Sequence, residues 1–354
     1  MNSSEKHFGT LPGGDEVRLY TVSNEAGYEL SVTNYGGIIT SFKAPDRDGQ
    51  VAELTLGFET LEEYLPGHPY YGATIGRVAN RTKNAGFAIA NAYYPITPHP
   101  SKEVHLHGGL QGFDKKLWEA GLLSPGEGVE GVELRYLSPD GDEGYPGNLS
   151  VTVTITLSED NQLAFDYLAE TDQATPVNLT NHTYWNLAGG GTILDHWVRI
   201  HSSTLVETDS RQLPTGRLLP VDSTPFDLRT LNRVGERIEE VRRPEAGGFD
   251  DCYLLDGWDV SPTLDDLPRA AEVRELESGR VMEVRTSYPG LQFYTGNKLT
   301  GRRNRNGRFL EGYDALCLET QFLPDSVHHP SFPNTILEPG ELYHHRTVHT
   351  FSTT

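Results

Sequence analysis

Residues 149–157 read L-S-V-T-V-T-I-T-L, with Leu149, Val151, Val153, Ile155 and Leu157 at every second position and hydroxyl side chains between them. A strict period of two puts the five apolar residues on one face of a strand and the polar ones on the other. A polar turn at 159–162 follows, and then Leu163, Phe165, Tyr167 and Ala169 alternate again. That spacing predicts an antiparallel hairpin with one buried face. Further short strands are predicted at 28–33, at 38–42 after the Asn34-Tyr35-Gly36-Gly37 break, and near 54–56. More follow at 254–255, 281–286, 291–294, 315–321 and 345–351, with Gly, Pro and Asp turns between them. Helical spacing appears only twice. One turn is predicted over 60–65, stopped by Pro66-Gly67. The second covers 231–241, where Leu231, Val234, Ile238 and Val241 recur, with Thr230 as N-cap and Pro244 as the stop. No linker, low-complexity stretch or fixed-period repeat interrupts the pattern. The expectation is an all-β fold: a large antiparallel β-sandwich with few short helices, one domain over residues 1–354.

Composition narrows what such a fold can bind. The 354 residues carry a formal net charge of -21, which argues against nucleic acid, whose phosphates need a basic surface. The same excess disfavours anionic membranes and points to a neutral small-molecule partner. No apolar run approaches the ~20 residues of a membrane-spanning helix. The N-terminal M-N-S-S-E-K-H-F-G lacks the apolar centre of a signal peptide, so a cytoplasmic protein is expected. Cys252 and Cys317 are the only cysteines, far apart and without metal-ligand spacing, and a disulfide-built scaffold is excluded.

Candidate chemistry concentrates in residues 177–187, V-N-L-T-N-H-T-Y-W-N-L. This stretch joins an imidazole, which exchanges protons near neutral pH, to aromatic faces and to amides able to donate and accept. Its apolar positions fit no helical face, so it reads as a strand lining a pocket. In 315–321, Cys317, Glu319 and Gln321 share a face opposite Leu316 and Leu318. Both His182 and Glu319 should therefore point inward, and an inward carboxylate needs partners. Such a pair supplies a general acid and a general base. Polar clusters at 76–81 and 105–109 stand beside them; His105 and His107 would share a side if both lie on a strand. His105, His107 and His182 suggest a metal site, but no carboxylate follows until Asp114. Glu319 with Asp250 suggests a glycosidase pair. Arg77 and Arg81 suggest a phosphate, yet no Gly-rich phosphate loop accompanies them.

Taken together, these segments resemble the aldose 1-epimerase family, the galactose mutarotases, over nearly the whole chain. The motifs are G-R-V-A-N-R at 76–81, L-H-G-G at 106–109 with G-F-D at 112–114 and Trp118, and N-H-T-Y-W-N-L at 181–187. They continue with G-F-D at 248–250, Y-P-G-L-Q-F-Y-T-G-N at 288–297, and L-E-T-Q at 318–321 with P-D at 324–325. The resemblance implies a β-supersandwich and interconversion of the α and β anomers of free hexoses such as galactose and glucose. It implies Glu319 as the base on the C1 hydroxyl, His182 as the acid on the ring oxygen, and His107 beside that oxygen. Asn80, Arg81, Tyr184, Asp250 and Gln292 would hold the sugar hydroxyls. It implies no metal and no organic cofactor, and a monomer or homodimer. Two positions depart from the family pattern, Val104 and Asp251, both expected beside the pocket and bearing on which sugar is preferred. The alternatives are a hexose-phosphate epimerase of the same superfamily, which would need extra cations near the pocket, and a sugar-binding protein without turnover.

Overall fold

The computed structural model describes residues 1–100, 104–243, 246–260, 264 and 266–354. The predicted hairpin forms as Leu149–Ser158 paired with Gln162–Thr171, and Val153 lies opposite Tyr167. Its five alternating apolar side chains are at most 1% exposed. Each contributes about 1.5–3 kcal/mol by leaving water. The hairpin sits inside a nine-stranded antiparallel sheet running in the order Glu119–Gly126, Val129–Ser138, Leu149–Ser158, Gln162–Thr171, Tyr343–Thr353, Arg280–Thr286, Arg269–Arg274, Trp197–Ile200 and Asn232–Arg233. The C-terminal strand Tyr343–Thr353 is thus central, with Gln162–Thr171 on one side and Arg280–Thr286 on the other.

Two five-stranded sheets complete the sandwich. One is an N-terminal meander from Asn2–Thr10 to Val51–Glu53. The other runs in the order Pro214–Pro220, Thr204–Thr208, Asp250–Leu254, Gly290–Tyr294 and Cys317–Gln321. One apolar cluster holds the three together: Leu30 and Phe42 from the first, Ile155 and Phe165 from the nine-stranded sheet, and Leu291, Phe293 and Leu318 from the last. Cys252 and Cys317 are buried and unpaired.

Several elements differ from their predicted form. Residues 54–56 form only a single bridge, Thr55 to Trp185, beyond the short strand Val51–Glu53. The strand predicted at 254–255 instead covers Asp250–Leu254. The second helix is Val234–Val241, burying Val234, Ile238 and Val241. It starts late because Asn232–Arg233 pairs with Trp197 and Val198 at the sheet edge, which displaces Thr230 from the cap position; Pro244 lies outside the described residues. The first helix is a single turn, Leu61–Tyr64.

Residues 177–187 are extended but not a regular strand, because their partners change every few residues. Asn178 bonds to Arg77 and Ala79, His182 to Ala73, Tyr184 to Leu56, and Trp185 to Leu316. Val177 also bonds to Thr335, so the stretch is a seam stitched to four other segments, with most of its backbone partners supplied from outside it.

Candidate active site

The sheet ending in Cys317–Gln321 builds the floor of a cleft of about 470 Å³. Its register sets Gln292 opposite Glu319, and Tyr294 opposite both Asp250 and Cys317. Side chains alternate across a strand, so these polar residues share one face while Leu291, Phe293 and Leu318 enter the core. The seam 177–187 crosses beside this sheet and brings His182 and Tyr184 to the same cleft. Asn80 and His107 arrive on two irregular segments that bond to each other, the His107 N–H donating to the Asn80 carbonyl at 2.9 Å. Both residues adopt left-handed backbone, φ +60° and +49°. Gly108 lets this junction close: a Cβ there would fall 1.7 Å from the Gly76 carbonyl oxygen.

Glu319 and His182 are 3% and 5% exposed, and Nε2 of His182 stands 3.7 Å from Oε1 of Glu319. The other carboxylate oxygen, Oε2, is buried without a hydrogen-bond partner among the described residues. Burial, reinforced by Asp250 and opposed by Arg81, lifts the Glu319 carboxyl to about 8. Burial lowers His182 to about 4. An isolated buried charge is costly, so both groups favour the neutral form. Near neutral pH the pair therefore carries one titratable proton, on the glutamate. Cys317 Sγ lies 3.6 Å from His182 Nδ1, and burial raises this thiol so that it stays protonated.

His107 Nδ1 accepts the Asn80 N–H at 3.2 Å. The neutral ring then carries its proton on Nε2, which becomes a fixed donor. Burial first, then His182 and Arg81, hold this imidazole well below its ordinary range, so it stays neutral. Ligand atoms of His107, His182 and Glu319 lie within 4.8 Å of one another, a spacing a divalent ion can span. A protonated Nε2 has no lone pair for a metal, so the set fits an ion only if the Asn80 bond is given up.

Around this centre, a ring of hydrogen bonds fixes the charged groups. Asp250 accepts from Gln292 Nε2 at 2.8 Å and from Gln212 Nε2. Arg81 donates to Gln212 Oε1 at 2.9 Å and stands 3.7 Å from the Asp250 carboxylate. Asp250 is thereby engaged on both oxygens, unlike a glycosidase carboxylate that must be free for attack. Tyr184 stacks against the His182 ring at 5.0 Å, and Tyr70 approaches His182 and His107 at 5.6 and 4.5 Å.

Asn80, Arg81, His107, His182, Tyr184, Asp250 and Glu319 all line the cleft, and Gln292 reaches it through Asp250. Other expectations give way. His105 does not face the cleft with His107: it sits in Val104–Leu106, and its ring lies 2.7 Å from both the Tyr145 hydroxyl and the Thr97 carbonyl. The left-handed turn at His107 breaks the alternation that would have aligned them. Arg77 is neither a phosphate reader nor a surface ion pair. It is 1% exposed and donates to the carbonyls of Ser138, Pro139, Pro146 and Gly147. Asp251 points away from the cleft into an ion pair with Arg243 at 2.7 Å and accepts the Asp250 N–H. Val104 is buried beside Lys83 and lines no part of the cleft. Gln212 and Tyr70 carry no signal in the chain that singles them out, except that Tyr70 follows the turn-forming P-G-H-P.

A family model described as aldose 1-epimerase matches residues 18–350. The galactose mutarotase of Homo sapiens is 42% identical over 349 residues, covering 98% of this chain and 97% of its own. The aldose 1-epimerase of Escherichia coli (strain K12) is 34% identical over 345 residues, 96% of each chain. Among solved structures, an aldose epimerase homologue from C. elegans superposes with a TM-score of 0.84 at 28% identity, over 94% of this chain and 98% of that one.

Proposed function

The chain belongs to the aldose 1-epimerase family and interconverts the anomers of free aldoses, and we propose that Glu319 and His182 do so as base and acid, the pair holding one titratable proton that sits on His182 before ring opening and on Glu319 after it. Ring opening takes the proton from the C1 hydroxyl to a carboxylate and delivers one to the ring oxygen as the C1–O5 bond breaks. Glu319 is the base and His182 the acid. Rotation about C1–C2 turns the aldehyde, and reclosure with the roles exchanged gives the other anomer. Two protons move and no electrons are transferred, so these side chains suffice.

The observation carrying this reading is Glu319, which lines the cleft with Oε2 buried and unpartnered among the described residues and with His182 at 3.7 Å from Oε1. A sugar hydroxyl donating to that oxygen fills the missing bond. With Glu319 protonated and His182 neutral, the pair has the protonation of the open-chain stage. Binding the closed ring must shift the proton to His182, and Arg81, which lowers Glu319, favours that shift. His107 presents Nε2–H as a neutral donor to the ring oxygen region. Asn80, Arg81, Tyr184, Asp250 and Gln292 orient the hydroxyls, and galactose and glucose are the sugars we assign. We read the chain as one domain, because one apolar cluster joins its three sheets. We place it in the cytoplasm, where buried free thiols such as Cys252 and Cys317 persist.

Polarimetry on freshly dissolved α-D-galactose and α-D-glucose tests the roles. Wild type should speed the decay of rotation, and Glu319→Gln should slow turnover by at least ~10²-fold. Near-wild-type turnover in that variant overturns the assignment.

A further inference from the structure

Two imidazoles stand beside Glu319, and their Nδ1 edges meet different chemistry. At His107 the neighbour of Nδ1 is a pure donor, the Asn80 backbone N–H at 3.2 Å, so the ring keeps its proton on Nε2. At His182 the neighbour of Nδ1 is Cys317 Sγ at 3.6 Å. A thiol sulfur donates weakly and accepts weakly, so the contact by itself permits either tautomer. The chemistry of the site chooses between them.

Nε2 is the working nitrogen of His182, standing 3.7 Å from Oε1 of Glu319 in the cleft. In ring opening it gives a proton to the ring oxygen, and in reclosure it takes one back. It can do both only if the other ring proton stays on Nδ1 throughout. Nδ1–H then needs an acceptor, because His182 is buried and an unpaired buried N–H is costly. Burial lowers this ring and its own carbonyl opposes that, but the carbonyl already takes the Gly72 N–H at 3.1 Å. Tyr184 and Tyr70 lie near the ring plane's own orientation, at 23° and 24°, and limit its tilt. Stacked rings do not tell one nitrogen from the other, so the choice falls to the group at the Nδ1 edge.

Cys317 is placed to be the acceptor. It is fully buried, begins the strand Cys317–Gln321 and sits two residues before Glu319, so one strand face carries both the base and the support of the acid. Burial, with Glu319 and Asp250 adding to it, keeps the thiol protonated and uncharged. An uncharged acceptor orients the ring without holding a charge on it. A carboxylate in its place would stabilise the imidazolium and weaken it as a proton donor to a feebly basic ring oxygen.

We propose that Cys317 is a positioning residue for the anomer exchange: its sulfur accepts from Nδ1–H of His182 and keeps Nε2 as the nitrogen that exchanges a proton with the sugar. The proposal rests on the reading of His182 as the acid. No proton crosses the sulfur. His107, locked in the opposite tautomer, is a fixed donor, and His182 alone shuttles.

Heteronuclear NMR of isotope-labelled histidine rings reads the tautomer directly, with His182 assigned by the signal lost in His182→Gln. In the wild type near neutral pH, His182 should be protonated on Nδ1 and bare on Nε2, with His107 the reverse. Cys317→Ala should move His182 toward the Nε2–H form and lower kcat for D-galactose roughly tenfold with KM little changed, the effect of one lost hydrogen bond. Cys317→Ser, whose hydroxyl also accepts, should restore the Nδ1–H form and bring kcat within about threefold of wild type. His182 protonated on Nε2 in the wild type overturns the proposal. So does an equal loss in the Ala and Ser variants without a change of tautomer, which is what packing alone would give. Wild-type turnover in Cys317→Ala overturns it as well, and leaves the anomer-exchange reading intact when His182→Gln is slow. Wild-type turnover in His182→Gln overturns both.

Discussion

Replacing Glu319 with Gln should make the protein more stable as the pH rises, while removing its activity. The folded carboxyl titrates at about 8 against an ordinary 4.5, because burial disfavours its charge. A carboxyl raised on folding contributes stability that is fully present below about 4.5 and lost as pH climbs through about 8. Each pH unit inside that window removes up to about 1.4 kcal/mol, a ceiling of about 4–5 kcal/mol over the whole range. Relaxation and water entry reduce it, so about 2–4 kcal/mol is a reasonable working range. For a chain of this length that corresponds to roughly 3–6 °C in Tm. The glutamine has no proton to lose and escapes the penalty. His182, lowered to about 4, has the opposite dependence, but it is present in both proteins and cancels in their difference. Thermal or urea unfolding of the two proteins at pH 5 and pH 9 provides the measurement. The Tm difference, variant minus wild type, should grow with pH and level off above about 8.5. A difference independent of pH would refute the claim that this carboxyl is held protonated by its surroundings.

Three other outcomes are expected. The pH profile of kcat/KM should be bell-shaped, falling below about 4 as His182 gains a second proton for the pair and above about 8 as Glu319 gives up the last; a rate still rising at pH 9 contradicts the shared proton. Gln212→Leu, which removes the link between Arg81 and Asp250, should raise KM by roughly tenfold with a smaller change in kcat, checked by steady-state polarimetry; an unchanged KM would show that Asp250 needs no such brace. Prolonged EDTA treatment should leave turnover unchanged, since His107 Nε2 carries a proton; a loss restored by zinc would mean that this ring adopts the other tautomer.

What was legible in the chain follows from what each signal depends on. The alternation at 149–157 reports burial on one face, and burial sets the strand, so the hairpin could be read directly. Glu319 and His182 were legible for the same reason: each is a polar residue on an extended segment whose other side is apolar. The seam 177–187 shows the limit of that reading. Extended backbone is written locally, but whether it joins one neighbour or four depends on chain more than a hundred residues away. Arg77 was misread because its partners are backbone carbonyls and the hydroxyls of Ser138 and Thr175, which no charge pattern in the chain marks. Gln212 was invisible because its two contacts come from Arg81 and Asp250, far along the chain in either direction. The left-handed turn at His107 defeated a face assignment that assumed regular alternation from His105. The roles of the sugar-holding residues came from the resemblance, since composition and spacing do not say which oxygen an amide will meet.

The place of Tyr343–Thr353 at the centre of the nine-stranded sheet bears on how the molecule is made. Both strands that flank it, Gln162–Thr171 and Arg280–Thr286, leave the ribosome earlier. Until this segment emerges, each half of the sheet ends in an open edge, the kind of surface that recruits foreign strands. The nascent chain must therefore wait with two unpaired edges, and only the arrival of this late strand joins the halves. Chaperone demand and sensitivity to premature stop codons should both concentrate at the step in which this strand is made, and Thr347 within it then bonds Thr320, the neighbour of Glu319.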